Sequence, residues 1–133
     1  MEKMTDKVWY IACAYSTGIP EGADKSQTLN YRNHEVQRIS AELIKQGHIL
    51  LEPIASCHYK YGKFNLPAGY SYWKKRDRKF LDLSDGMVVI TLNEEHWKNS
   101  VGVTDEINYC RAQGKPIYLL HGLQKGEFRL EKI

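Results

Sequence analysis

A single doubly wound α/β domain, with a parallel sheet of four or five strands, is the fold class this sequence predicts. Three observations carry that expectation. Short apolar runs rich in β-formers alternate with segments of helical period. Each run is bounded by Gly, Pro or polar turn residues. A length of 133 residues gives one core and leaves no room for a second, so residues 1–133 form one domain. Such alternation belongs to flavodoxin-like and Rossmann-like sheets, which carry helices on both faces and bind ligands beyond the carboxyl ends of the strands.

Residues 8–14 (VWYIACA) read as a buried first strand, followed by a polar loop with Gly18, Pro20 and Gly22. From 27 to 47 the period is helical: Leu29, Val36, Ile39 and Leu43 share a face, and Gly47 stops the helix. Residues 48–54 (HILLEPI) read as a second strand, and 56–69 as an aromatic, basic loop longer than most connections. Ser71 caps a helix to about Leu83, and residues 86–92 (GMVVITL) are the clearest strand. Ser100 opens a third helix that ends at Gly114, before a fourth strand at 116–120 (PIYLL). The loops after Ala14, Ile54 and Leu92 then surround one crevice.

Composition narrows the function. The formal charge is only +3, and the densest basic run, Lys74-Lys75-Arg76, is followed at once by Asp77. That is too mild for a nucleic-acid face, whereas a small anionic ligand needs only one or two placed cations. Cys13, Cys57 and Cys110 are odd in number and form no CxxC pair, so the expectation is reduced thiols in the cytoplasm. No apolar run approaches the ~20 residues that span a bilayer, and residues 1–7 are polar. His34, His48, His96 and His121 show no metal-ligand spacing, and neither a metal nor another cofactor is expected.

Helical geometry singles out two acids. Trp73, Asp77, Phe80, Leu81 and Ser84 fall along one stripe, which sets Asp77 in a largely apolar face. An unpaired buried carboxylate is costly, so Asp77 needs a partner or a raised pKa; the plain alternative is a slight rotation that brings it to water or Arg78. In the third helix the inward stripe is Val103, Ile107, Cys110 and Gly114. Glu106 lies beside that stripe, while Asp105 points well away, toward solvent. The helix dipole favours an ionised Glu106, and the plain alternative is a solvated first-turn acid. Arg32, beside the first helix's stripe, either snorkels over apolar surface or aims a cation at a phosphate or carboxylate.

The stretch from Arg76 to Leu120 resembles the nucleoside 2-deoxyribosyltransferase superfamily. Its pattern is an Asp, then an Asp before an apolar strand, then Gly-Thr-Ala-x-Glu opening a helix, then Gly-Lys-Pro before the last strand. The matching positions are Asp77, Asp85, Gly102 to Glu106, and Gly114-Lys115-Pro116. Within the superfamily the sequence is most like a small, largely uncharacterised bacterial and phage branch, through Tyr10 to Ser16, Pro53 to His58 and Ser100 to Ile107. The resemblance implies that Glu106 is a nucleophile toward the anomeric carbon and that Asp77 assists protonation of the leaving base. It implies a homo-oligomer whose subunits complete each other's sites. Val103 replaces the superfamily Thr, and Cys13-Ala14 replaces its Gly-Pro.

The expected function is thus an N-glycosidase or (deoxy)ribosyltransferase acting on a nucleoside or nucleoside monophosphate. Its candidate substrate-binding residues are Tyr10, Ala12, Cys13, Tyr15 and Ser16 around the first turn, with Arg32, His58, Trp73, Ser100 and Gly102. Tyr10, Tyr15, Tyr72 and Trp73 offer stacking surfaces for a base. The alternative is a nucleotide-sensing module that keeps the fold without catalysis. A dinucleotide oxidoreductase is disfavoured because no GxGxxG follows the first strand.

Overall fold

The computed structural model describes residues 6–15, 19–54, 56, 63–67, 70–122 and 127–133. Chain order is β1 (Val8–Cys13), α1 (Lys25–Lys45), β2 (Ile49–Leu51), α2 (Tyr70–Leu83), β3 (Gly86–Ile90), a short 3-10 turn (His96–Asn99), α3 (Val101–Ala112), β4 (Ile117–Gly122) and β5 (Phe128–Lys132). The sheet order is β2-β1-β3-β4-β5. The first four strands pair in parallel, and β5 runs antiparallel to β4 at the edge. This is a doubly wound, flavodoxin-like α/β domain.

Strand alternation divides the core. Trp9, Ile11, Cys13, Val88, Ile90 and Leu120 pack beneath Val36, Ile39 and Leu43 of α1. Tyr10, Ala12, Met87, Val89 and Leu119 pack against Leu81 of α2 and Val103, Ile107 and Cys110 of α3. Each large apolar side chain so buried contributes ~1.5–3 kcal/mol relative to exposure. β1 and β3 are near-continuous apolar runs because both of their faces are covered.

Local chemistry sets the ends. Asp24 caps α1, accepting from the Gln27 N–H at 2.9 Å, and Ser100 caps α3, accepting from Val103 at 3.2 Å. Gly47 and Gly114 follow α1 and α3 at φ of 92° and 70°, a left-handed region that glycine enters at little cost. The second strand is shorter than residues 48–54: Pro53 and Ile54 are already helical, and Pro53 has no N–H for the ladder. α2 starts at Tyr70, one residue before the expected cap at Ser71.

Asp85 and Lys115, singled out in the sequence, hold the scaffold. The Val8 N–H donates to Asp85 Oδ2, and the Asp85 N–H donates to the Val8 carbonyl, each at 2.7 Å. Lys115 Nζ donates at 2.7 Å to the Leu81 carbonyl near the end of α2, which also accepts from the Ser84 N–H at 3.0 Å. Among the described residues no helix is long and apolar enough to cross a membrane.

Candidate functional site

Three elements meet at one polar cluster inside the α2/α3 layer. Tyr10 projects from β1 on the face covered by those helices and is 1 % exposed. Its hydroxyl donates to Glu106 Oε2 of α3, and the Asp77 carboxylate of α2 lies near enough for its charge to act on both groups. The two acids picked out by helix geometry therefore act on one another from α2 and α3, on one side of the sheet. The Tyr10 ring lies in the core, the commoner fate of such an aromatic, and only its hydroxyl reaches the site.

The electrostatics of the pair are asymmetric. Burial, then the neighbouring Asp77 charge, pushes the Glu106 carboxyl up to about 8, outweighing the Tyr10 hydrogen bond that favours the anion. Glu106 thus rests protonated at neutral pH, contrary to the ionised state expected from its helix end. Burial also raises Asp77, but Arg76 opposes that through its charge and hydrogen bonds. The Tyr10 phenol is held well above its ordinary range by burial and by the nearby carboxylates, so it remains a proton donor.

Arg76 is the site residue that sequence reasoning missed. Its Nε and Nη2 donate to Asp77 Oδ1 at 3.0 and 2.9 Å, and Nη2 reaches the Pro53 carbonyl at 3.3 Å. The guanidinium lies 4.7 Å from the Trp73 ring centre and 5.4 Å from that of Phe80. The signal was the adjacency of Arg76 and Asp77. Asp105 also departs from expectation: it leaves the apolar stripe but meets α2 instead of water, pairing with Arg78 at 3.0 Å and Lys74 at 3.7 Å.

The other candidates divide by location. Ala12 is buried on the Tyr10 face. Cys13 faces the α1 layer, where burial pushes its thiol up to about 12, so it is a neutral core group. Arg32, 3 % exposed, does not snorkel; its Nη1 donates to the Tyr15 carbonyl at 2.7 Å, tying α1 to the turn after β1. Trp73 carries Arg76 on its ring and donates from Nε1 to the Pro67 carbonyl at 2.6 Å. The Ser100 hydroxyl serves the α3 cap, and Gly102 sits half-buried in the first turn of that helix. Ser16 and His58 lie outside the described residues.

At the β1/β3 switch point, beyond Cys13 and Ile90, connections leave the sheet in opposite directions. Leu92 and Asn93, just past β3, hold φ of 58° and 56°, a strained pair of a kind that clusters at functional sites. The Asn93 N–H donates to Thr91 Oγ1 at 3.1 Å, and its side-chain amide donates to the Gly122 carbonyl at 2.5 Å. An open cleft of about 330 Å³ lies at the β2 edge, lined by Gln37, Leu50, Leu51, Glu52, Ser56 and Phe80. No group of three or more His, Cys, Asp or Glu residues suited to a metal occurs among the described residues.

The family model for the domain of unknown function DUF1937 matches residues 7–121. The chain belongs to that family. The matched span runs from the residue before β1 almost to the end of β4, so Tyr10, Arg76, Asp77 and Glu106 all lie inside the DUF1937 domain, and β5 lies beyond it. No curated protein matches the chain.

Proposed function

We propose that this DUF1937 protein is an N-glycosidase or (deoxy)ribosyltransferase that acts on a nucleoside or nucleoside monophosphate. The observation that carries this reading is the buried cluster of Tyr10, Glu106 and Asp77, in which Tyr10 donates to Glu106 and the Asp77 charge helps to raise the Glu106 carboxyl. Cleaving an N-glycosidic bond needs one carboxylate and one acid together. The bonding electron pair leaves with the base nitrogen, which must gain a proton, while the anomeric carbon gains positive charge. A pair that shares one proton across neutral pH supplies both groups.

The resemblance gives the nucleophile's part to Glu106 and the proton side to Asp77. In the resting site the proton is on Glu106, so substrate entry must move it toward Asp77, while Tyr10 keeps its hydrogen bond to Glu106. A Glu106 oxygen then bonds the anomeric carbon as the protonated base departs. Water releases the sugar in a hydrolase, its proton returning to the carboxyl pair; an incoming base does so in a transferase. We place the protein in the cytoplasm, as a homo-oligomer with no requirement for a metal or redox cofactor.

A second reading is a nucleotide-binding module that keeps the fold without catalysis. It is favoured by the resting proton on Glu106, the group assigned as nucleophile. Incubation with a panel of nucleosides and monophosphates separates the two: free base supports the enzyme, and saturable binding without base release supports the module.

A further inference from the structure

We propose that Arg76 is a positioning residue for the carboxyl pair: it clamps the Asp77 carboxylate and holds the negative charge there, leaving the shared proton to Glu106. The inference rests on the reading of Asp77 and Glu106 as one site. Its basis is geometric. Two N–H groups of one planar guanidinium converge on Asp77 Oδ1, at 3.0 and 2.9 Å. The same guanidinium is fixed by the Pro53 carbonyl at 3.3 Å and by the Trp73 and Phe80 rings, so it cannot swing away without losing contacts to two elements. With 17 % of its side chain exposed, it is poorly screened.

Burial raises both carboxyls most, and the surrounding groups then set the two apart. Asp77 responds to Arg76 and to the Tyr10 hydroxyl. Glu106 responds first to the charge of Asp77 and then to Tyr10, Asp105 and, last, Arg76. Arg76 therefore acts on Asp77 directly and on Glu106 chiefly through it. Adjacent residues on a helix do not normally face each other, which is why this contact depends on the lateral anchors on Pro53, Trp73 and Phe80.

The test is a titration of the full-length protein with carbon-13-labelled carboxyl groups, followed by NMR, in the wild type, Arg76→Gln and Arg76→Lys. Asp77→Asn and Glu106→Gln assign the two resonances, and thermal melts verify folding at each pH. The expected result is an Asp77 midpoint raised by about one pH unit or more in Arg76→Gln. Glu106 should shift less, and Arg76→Lys should restore part of the Asp77 shift. If Arg76→Gln does not fold, Arg76→Lys alone decides, because loss of the planar fork should still raise the Asp77 midpoint. An unmoved Asp77 midpoint in the folded variant overturns the proposal, as does an Arg76→Lys midpoint no closer to wild type than that of a folded Arg76→Gln. The titration needs no turnover, so an absence of base release from the wild type counts against the N-glycosidase reading and leaves the role of Arg76 to be decided by the midpoints.

Discussion

At Glu106 two effects compete, and their sizes decide the outcome. A helix amino-terminus favours a carboxylate by ~0.3–1 kcal/mol, less than one pH unit, whereas burial can move a carboxyl by several units. Burial and Asp77 win, which yields a test through stability. Between the ordinary carboxyl value and about 8, folded Glu106 holds a proton that the unfolded chain has released. Its contribution is therefore fully present below pH ~4.5 and is lost as pH rises through about 8. Glu106→Gln has no such proton to lose, so its melting temperature should gain on wild type as pH rises from 5 to about 8, then level off. Parallel melting curves across that range would show that Glu106 is not raised. Both acids were legible in the sequence because a carboxylate beside an apolar helical stripe stands out. Arg76 was not, because its role depends on Pro53, 23 positions away, and on rings that the period alone does not orient. Arg32 was half legible: its place by the stripe was correct, but the Tyr15 carbonyl that holds it is a tertiary contact.

Among the elements, the close approach of β1 and β3 depends on Gly86. A Cβ there would lie 2.3 Å from the Trp9 ring and 2.9 Å from the Pro116 carbonyl, and the latter is backbone that cannot rotate aside. Gly86→Ala should therefore destabilise the fold by ~1–3 kcal/mol, seen as a lower urea midpoint with an unchanged slope. A midpoint equal to wild type would mean that the strands separate freely at this point. Strands β1 and β3 and helix α3 were readable because apolar runs, Ser caps and terminal glycines agree there. The length of β2 was not, since HILLEPI is apolar beyond the point where Pro53 ends the ladder. β5 was missed because it is short and mostly charged: its alternation has only two apolar positions, Phe128 and Leu130, while Arg129, Glu131 and Lys132 blunt an exposed edge.

For the whole molecule, the sheet order puts a switch point at β1/β3, and the carboxyl pair belongs to α2 and α3, the helices that cover one face of that sheet. The proposed homo-oligomer should scatter light at a multiple of the chain mass at micromolar concentration; a monomer alone would remove shared sites from the account. The central claim is tested most directly by base release from a nucleoside or nucleoside monophosphate that the wild type cleaves, compared between Glu106→Gln and Asp105→Asn. These are adjacent acids on one helix, but only Glu106 meets Tyr10, while Asp105 is spent on Arg78 and Lys74. Glu106→Gln should lower turnover by roughly a thousandfold or more, since an amide can neither trap nor stabilise the sugar cation. Asp105→Asn should leave turnover nearly intact and cost less than about 1 kcal/mol of stability. Full base release by folded Glu106→Gln would contradict the account.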